Sequence, residues 1–286
     1  MMSEEKLLKR VIVTADDFGL SLEVNEAVRL AHKDGALTCA SLMVAAPAAR
    51  EAAALARRLP GLKVGLHLTL VDGRPLLPAN QVPDLVDGAG RFRPGLVGPG
   101  ARIFLSPRAR RQAVAECQAQ VSAFQKTGLA LDHLNGHNHF HIHPTILDAV
   151  LGIAAHTRIP AVRVPSQPFS TMPASAACMA AVMAPWVART RSRLHRAGIG
   201  TNDCLFGLFE TGAMVESAWL RLIPHLPEGL TEIYCHPATA TVGLLKEAMP
   251  TYRHAEELAA LRSPRVRAAL ERAGARLTTF SGASAA

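Results

Sequence analysis

Short apolar runs alternate with longer stretches of helical periodicity along the chain. The run Val11–Ala15 is followed by apolar residues at positions 24, 27, 28 and 31, a spacing that keeps them on one face of a helix. Ser21 and Gly35 are residue types that commonly begin and end helices, so a strand followed by a helix is predicted here. Further strands are predicted at 37–45, 62–71, 129–134, 159–164, 203–208, 231–235 and 277–280, and further helices at 47–60, from 144 and at 256–275.

This alternation favours βαβ units and a parallel sheet. About seven or eight strands fit one α/β barrel-like domain spanning 1–286 better than two domains, because α/β barrels routinely use about 250 residues as one unit.

Two segments interrupt the alternation of strands and helices. Residues 72–107 are rich in proline and glycine and are expected to form a loop or lid over one end of the sheet. Residues 166–200 are rich in alanine and methionine and predict a helical insertion or a subunit contact.

The composition narrows the class of protein. Of 286 residues, 49% are hydrophobic and 19% are charged, which supplies a sizeable core and excludes an intrinsically disordered chain. The sequence contains no uninterrupted apolar run of about 20 residues, the length that a membrane-spanning helix needs. The first residues lack the apolar region of a secretory signal. Five cysteines without CxxC spacing indicate reduced thiols, so we expect a cytoplasmic protein.

The charge is basic, because 31 Lys and Arg residues against 23 Asp and Glu residues give a net charge of +8. Such a balance is compatible with nucleic acid, an anionic membrane surface or an acidic substrate. The charges are dispersed, and the one dense stretch, 189–196, is not accompanied by a zinc-finger or RNA-recognition pattern. A solvated arginine-rich surface is therefore the favoured interpretation, and no nucleic-acid partner is predicted.

Histidines are concentrated in one short stretch. Five of the 12 histidines, at positions 133, 137, 139, 141 and 143, fall within eleven residues after a predicted strand. In an extended chain, successive members of the last four would lie about 6–7 Å apart on one side. One of them, or two after a turn, could then reach the same ion, and the others would contact the ligands or the substrate. Asn135-Gly136 is expected to supply the turn, because glycine accepts positive φ.

Polar residues also stand where predicted strands end or are interrupted. Asp16 and Asp17 end the first strand, and His67 interrupts the third. Since the carboxyl ends of parallel strands meet at one edge of a sheet, these side chains are expected to converge there with the histidine stretch. One carboxylate and two neutral imidazoles suit Zn²⁺, Mn²⁺ or Fe²⁺ and leave positions for water. Taken singly, His67 could be a core histidine, the aspartate pair a helix cap and the histidine stretch a surface tract.

Several motifs resemble those of the YdjC family of carbohydrate deacetylases. Residues 14–19, TADDFG, resemble the family's (N/T)ADDFG motif, and residues 65–70, GLHLTL, resemble its G(I/L/M)HxxL motif. Residues 133–141, HLNGHNHFH, resemble HxDSHxHxH, and residues 38–43 and 234–237 are also similar to family segments. The motifs stand in the family's order and at plausible separations.

The resemblance implies a distorted TIM-type barrel that hydrolyses N-acetyl groups from amino sugars with one divalent metal ion, namely Zn, Mg, Mn or Fe. By similarity, Asp17, His67 and His137 are the metal ligands, and Asp16 is the general base. Adjacent residues of a regular strand face opposite ways, so this assignment requires the strand to break at the aspartate pair. Carboxylates that diverge would contradict the role of Asp16.

Other residues receive roles from the chemistry of the reaction or from a resemblance. His236 is the candidate acid that protonates the leaving amine, and Arg163 resembles the arginine that steadies the catalytic aspartate in related polysaccharide deacetylases. Residues assigned to the substrate or to the surroundings of the ligands are His133, His139, His141 and Asn135. The sequence departs from the family pattern at Asn135 and Gly136, where Asp and Ser are usual, and this change concerns the surroundings of the ligands.

The phrases GLHLTLVDGRPLLP and LDHLNGHNHFHIHP resemble the hopanoid-biosynthesis-associated subgroup of the family. The implied substrate is an N-acetylglucosaminyl hopanoid lipid, so the partner would be an amino-sugar-containing small molecule or a glycolipid. A lipid substrate would bring the basic surface to the inner membrane surface, and the family also suggests a homodimer.

Two alternatives stay open. A metal phosphoesterase or amidohydrolase on a similar barrel usually needs more ligands, and a non-catalytic metal-binding pathway protein would not need a second aspartate.

Overall fold

The apolar runs form one parallel sheet, and segments of helical periodicity cover it, in a computed structural model that describes residues 8–284. Within these residues the strands are β1 (Lys9–Phe18), β2 (Cys39–Leu42), β3 (Lys63–Leu68), β4 (Leu131–Gly136), β5 (Cys204–Phe206), β6 (Gly229–Cys235) and β7 (Ala275–Thr278). The helices are α1 (Leu22–Asp34), α2 (Ala49–Arg57), α3 (Val97–Leu105), α4 (Pro107–Lys126), α5 (Pro144–Ala154), α6 (Ala174–Arg196), α7 (Glu216–Leu222), α8 (Leu244–Ala248), α9 (His254–Leu261), α10 (Pro264–Arg272) and α11 (Phe280–Ser284). The prediction of a parallel α/β fold is confirmed.

The first strand lies at the centre of the sheet, whose order is β4-β3-β2-β1-β6-β5. β7 pairs with the first half of β1, and β2 pairs with its second half. Parallel sheets are covered on both faces, so their central strands are apolar throughout. Accordingly, Val11, Ile12 and Val13 are all fully buried.

The chain around Ala161 curves the sheet towards closure. The strand predicted at 159–164 forms only isolated bridges. The N–H of Leu134 donates to the carbonyl of Ala161 (2.9 Å), and the N–H of Val162 donates to the carbonyl of Gly200 (2.9 Å). This segment therefore connects the edge strand β4 with the chain that enters β5, at the opposite edge. The result is the barrel-like arrangement predicted from the strand count.

Helix α1 shows how local sequence sets the packing. The hydroxyl of Ser21 accepts the N–H of Val24 (3.3 Å) and so caps the helix as predicted. Val24 and Ala27 are buried, which places the apolar face of α1 in the core. Gly35 follows the helix because the chain passes close to another segment there, and a Cβ at this position would lie 2.5 Å from the carbonyl oxygen of Leu261.

Helix α4 was not predicted, because its buried face carries polar residues that hide the helical period. Glu116 and Gln120 are both buried. The Glu116 carboxylate accepts the N–H groups of Leu76 (2.7 Å) and Leu77 (3.0 Å), and the Gln120 amide oxygen accepts the N–H of Thr69 (3.0 Å). α4 therefore holds the irregular chain that follows β3, and the segment 72–107 contains α3 as well as loop.

One helix differs in detail from the sequence prediction, and the helical segment and the cysteines agree with it. The helix predicted at 256–275 is two helices, α9 and α10, because Pro264 cannot continue a helical hydrogen-bond ladder. The segment 166–200 contains the long helix α6. All five cysteines are free thiols, of which Cys178 is exposed. No helix within residues 8–284 is long and apolar enough to cross a membrane.

Candidate metal and active site

The first strand ends in two adjacent carboxylates that face the same imidazole. Asp17 has a left-handed backbone conformation (φ 61°), which is uncommon for a residue other than glycine, and the register of β1 against β2 shifts at this point. Because of this break, Asp17 Oδ1 lies 3.2 Å from His67 Nε2, and Asp16 Oδ1 lies 4.0 Å from His67 Nδ1. Both carboxylates therefore lie beside the His67 ring, at different nitrogens, and the role of Asp16 as base stays a prediction.

Asp17, His67 and His137 bring one carboxylate and two imidazoles together. Asp17 Oδ1 is 3.1 Å from His137 Nδ1, and one ligand atom from each of the three residues lies within 4.8 Å of the others. Asp17 Oδ2 is buried and has no hydrogen-bond partner among the described residues. A buried carboxylate oxygen needs a positive or donating partner. The donor set therefore fits a divalent ion, for which carboxylate and imidazole are ordinary ligands.

The charges of this trio depend on each other. Burial alone would raise the pKa of Asp17, but the adjacent His137 holds that pKa well below its usual range. Burial alone would lower the pKa of His137, but the charge of Asp17 raises it. In the metal-free site a proton on His137 therefore stabilises Asp17. An ion has to displace this proton, so metal affinity falls as the pH is lowered.

Arg163 binds two buried carboxylates at once. Its guanidinium donates to Asp16 at 2.5 and 3.0 Å and to Glu232 at 3.0 and 2.7 Å. Burial alone would raise the pKa of Asp16, but the charge of Arg163 lowers it and keeps the carboxylate ionised. The guanidinium also lies over the ring of Tyr234, 4.8 Å from its centroid. Sequence reasoning missed Glu232 and Tyr234, although an acidic residue inside the apolar run of β6 is a signal that could have identified Glu232.

A cavity of about 180 Å³ opens beside the trio. Asp16, His67, His137, His139, His236 and two tyrosines, Tyr234 and Tyr252, contribute to its lining. Burial lowers the pKa of His236 to about 4, so this ring is neutral at pH 7. Its Nδ1 has no hydrogen-bond partner among the described residues. The predicted acid therefore lines the same cavity as the predicted base, whereas the two tyrosines were not predicted.

The histidine stretch is a compact turn rather than an extended chain. Residues 137–142 form a 3₁₀ helix in which Asn138 (φ 52°) and His139 (φ 54°) are left-handed. The expectation that Gly136 supplies the turn is wrong, because Gly136 is extended (φ −151°) and belongs to β4. Its lack of a side chain has a different cause, since a Cβ there would lie 3.0 Å from the Cβ of His141.

The clustered histidines take different positions. His137 and His139 line the cavity, and His139 Nε2 lies 3.3 Å from the Tyr234 hydroxyl. His141 Nε2 donates to the carbonyl of Arg163 (2.8 Å), where it supports the backbone of that residue. His143 stacks on a neighbouring phenylalanine away from the trio, and His133 is buried deeper in the sheet.

The part of the sequence that contains this site matches a known protein family. Residues 10–272 match the family described as YdjC-like protein. The chain belongs to the YdjC-like family. The chain is also similar to curated relatives. It is 34% identical over 271 residues to a carbohydrate deacetylase of Geobacillus stearothermophilus, and the alignment covers 94% of this chain and 96% of the relative. It is 30% identical over 273 residues to a carbohydrate deacetylase of Brevibacillus brevis, with 95% and 98% covered.

The YdjC-like chain also has a counterpart among solved structures. A protein of Enterococcus faecalis V583, named for cellobiose-phosphate cleavage, superimposes with a TM-score of 0.77 and 27% sequence identity. The similarity covers 96% of this chain and 98% of the other. The two proteins therefore share the fold over nearly their whole lengths.

Proposed function

We propose that this protein is a metal-dependent hydrolase that removes the N-acetyl group from an N-acetylglucosaminyl substrate. The observation that carries the proposal is the trio Asp17, His67 and His137, in which Asp17 Oδ2 has no hydrogen-bond partner within residues 8–284. Asp16, which Arg163 binds, lines the same cavity as the two histidines. Relatives named carbohydrate deacetylases, matched over more than nine-tenths of their length, support the reaction class. The reaction consumes one water and yields acetate and a free amine.

The chain's own residues divide the work of the reaction. A divalent ion held by the trio supplies Lewis-acid polarisation of the amide carbonyl and lowers the pKa of the attacking water. Asp16 accepts the proton of that water. Arg163 keeps Asp16 ionised and fixes its orientation through paired hydrogen bonds. The lowered pKa of Asp16 means that the base is in its accepting form throughout the physiological pH range.

The leaving amine needs a proton, and His236 is the group we assign to deliver it. The ring lines the cavity, and none of the residues that the structure describes forms a hydrogen bond with its Nδ1. Because its pKa is about 4, the ring holds no extra proton at pH 7 and has to receive one before it can donate. The proton that Asp16 accepts is the source we propose, so His236 relays it to the leaving nitrogen.

A lipid aglycone is the finer part of the proposal. A second cavity of about 120 Å³ is lined by apolar residues, among them Leu20, Met43 and Leu244, and also by the charged side chains of Asp72, Arg74 and Arg91. It adjoins the first, because Asp72 lines the second cavity and accepts a hydrogen bond from Asn138, which lines the first. Apolar walls favour a hydrocarbon such as a hopanoid over a continuing sugar chain.

Helix α6 supports contact with an anionic membrane surface. Its first half exposes Met179, Val182 and Met183. Its second half carries four arginines, at positions 189, 191, 193 and 196. An exposed apolar face next to clustered arginines is typical of helices that lie at a membrane interface. Val182→Glu should reduce co-sedimentation of the protein with phosphatidylglycerol vesicles. The same exposed face of α6 could instead be the contact of the predicted homodimer, which sedimentation velocity of the wild type and the variant tests.

Acetate release tests the proposed reaction directly. Purified protein should release acetate from N-acetylglucosaminyl compounds, lose this activity in a chelator and regain it with a divalent metal. An N-acetylglucosaminyl hopanoid should be preferred over chitooligosaccharides if the apolar cavity binds the aglycone. Phosphate release from a generic ester, with no acetate release, would instead favour the phosphoesterase. Stoichiometric metal without any hydrolysis would favour a metal-binding protein.

A further inference from the structure

A continuous row of buried hydrogen bonds runs beneath the site. Asp132 Oδ2 lies 3.1 Å from His133 Nδ1, and His133 Nε2 lies 3.1 Å from the Ser41 hydroxyl. Asn135 Nδ2 donates to Ser41 Oγ (2.8 Å), and Asn135 Oδ1 lies 2.7 Å from Nδ1 of His67. Every one of these side chains is buried. The row thus joins the interior of β4 to one of the three proposed metal ligands.

The directions of these hydrogen bonds are fixed at the upper end. The carboxylate of Asp16 is ionised beside Arg163 and can only accept, so the Asn135 atom that faces it at 3.1 Å must be the Nδ2 donor. The amide oxygen of Asn135 then faces His67, and His67 Nδ1 must carry the proton. In that tautomer His67 Nε2 has a free lone pair, which points at Asp17 Oδ1 3.2 Å away. Two acceptors this close need a proton or a metal cation between them.

The lower end of the row imposes the same direction. Asp132 accepts the backbone N–H of Ser281 at Oδ1 (3.0 Å), and its Oδ2 faces His133 Nδ1 at 3.1 Å. This ionised carboxylate takes the Nδ1 proton of His133, so Nε2 accepts from the Ser41 hydroxyl. The Ser41 oxygen is then free to accept from Asn135. All donors meet acceptors in one arrangement.

Packing holds the ring of His133 in place. A Cβ on Gly65 would lie 2.5 Å from its Cδ2 and Nε2 atoms, so only glycine leaves room for the ring. On another side the ring of Phe280 lies 4.8 Å away, centroid to centroid, with an interplanar angle of 31°. The imidazole therefore cannot turn to present a different nitrogen to Ser41 without displacing β3 or the start of α11.

We propose that Asp132, His133, Ser41 and Asn135 are positioning residues that fix the His67 tautomer, with Nδ1 protonated and Nε2 free to bind a divalent cation. The same Asn135 amide also orients Asp16. The inference rests on the proposed function only for what the cation does there, since the tautomer is a property of the metal-free protein. An aspartate at 135 could not donate to Asp16, which gives the asparagine at this position a physical role.

The His67 tautomer can be observed in the metal-free protein by long-range ¹H–¹⁵N correlation spectroscopy of its imidazole. The wild type should show a proton on Nδ1, the nitrogen that faces the Asn135 amide oxygen. Asn135→Leu should lose this pattern, and Ser41→Ala should shift it towards a mixture. Zn²⁺ affinity, measured by competition with a chromophoric chelator, should fall about 10–100-fold in both variants, the range typical of residues that orient a ligand.

Thr190→Val is the matched control, because Thr190 is a fully buried hydroxyl in α6 outside the row. It should leave both the His67 tautomer and the Zn²⁺ affinity unchanged. A wild-type His67 without a proton on Nδ1 would overturn the proposal, and so would a Ser41→Ala variant with an unchanged Nδ1 proton and unchanged Zn²⁺ affinity. If Asn135→Leu does not fold, Ser41→Ala decides alone. A wild type with the expected tautomer but no Zn²⁺ binding would contradict the proposed function and leave the positioning role supported.

Discussion

Arg163→Met removes the one positive charge that holds two buried carboxylates. The side chain is fully buried, and its guanidinium donates two hydrogen bonds to Asp16 and two to Glu232. Methionine keeps much of the volume of the arginine stem but supplies neither charge nor donors. Asp16 and Glu232 then remain buried without a counter-charge.

The expected cost follows from this geometry. Removing one partner of a buried ion pair costs about 3–5 kcal/mol. Since two carboxylates lose the same partner, we expect the upper end of that range at pH 8, about 5 kcal/mol. A loss of 1 kcal/mol lowers Tm by roughly 2–4 °C in a protein approaching this size, so Tm should fall by roughly 10–20 °C.

The pH dependence has a definite sign. In the wild type the pKa of Asp16 is lowered in the folded state, so its stabilising contribution is present above about pH 4 and lost as the pH falls. In the variant, burial raises the pKa of Asp16 in the folded state, because the charge of Arg163 no longer opposes it. The folded variant is then relatively more stable at low pH and loses stability as the pH rises through the raised pKa. The deficit against wild type should therefore shrink between pH 8 and pH 5.

Urea denaturation of the metal-free proteins at pH 5, 6.5 and 8 measures this difference. Arg265→Met is a matched control, because Arg265 pairs with Glu216 at 2.7 Å but is 73% exposed, and a pair of this kind contributes less than about 1 kcal/mol. An Arg163→Met deficit as small as that of the control, or one that does not change with pH, would refute the electrostatic role given to Arg163.

Three further changes test other parts of the structure. His137→Ala should abolish measurable Zn²⁺ binding in equilibrium dialysis while the far-ultraviolet circular dichroism is kept, and retained stoichiometric binding would remove His137 from the ligand set. Glu116→Ala leaves two backbone N–H groups without their acceptor, and each unsatisfied group costs about 1–3 kcal/mol of stability. Limited proteolysis within residues 72–96 should therefore be faster, and an unchanged cleavage rate would contradict the anchoring role of Glu116. Gly65→Ala should displace the His133 ring and lower Tm by several degrees, and a wild-type Tm would show that the ring can move.

The fold was largely accessible from the sequence because its strands are short apolar runs with clear boundaries. Ser21 caps α1 as predicted, and β1 appears where the first apolar run lies. Helix α4 was not accessible, because Glu116 and Gln120 occupy buried positions and serve the neighbouring loop rather than the core. The sequence near Ala161 predicts a strand, but this segment forms only isolated β-bridges, because its pairing depends on how far the sheet curves.

The candidate site shows a different limit. Asp16, Asp17 and His67 were candidates because they stand where strands end or are interrupted, and the family resemblance singled out His137 among the clustered histidines. Their convergence depends on the left-handed backbone of Asp17. No local pattern specifies that conformation, because it is maintained by contacts made far away in sequence. Glu232 was missed for a related reason, since its partner Arg163 lies 69 positions away and pairs with it only in the folded sheet.

The central claim is that one divalent ion at Asp17, His67 and His137 works with Asp16 as base to release acetate. The most direct test measures metal content and acetate release on the same preparations of wild type and Asp16→Asn. We predict one ion per chain in both proteins and a rate of acetate release about 10²–10⁴-fold lower in the variant, the contribution of a general base. Wild-type protein without a stoichiometric ion, or a metal-loaded Asp16→Asn variant as active as wild type, would contradict the claim.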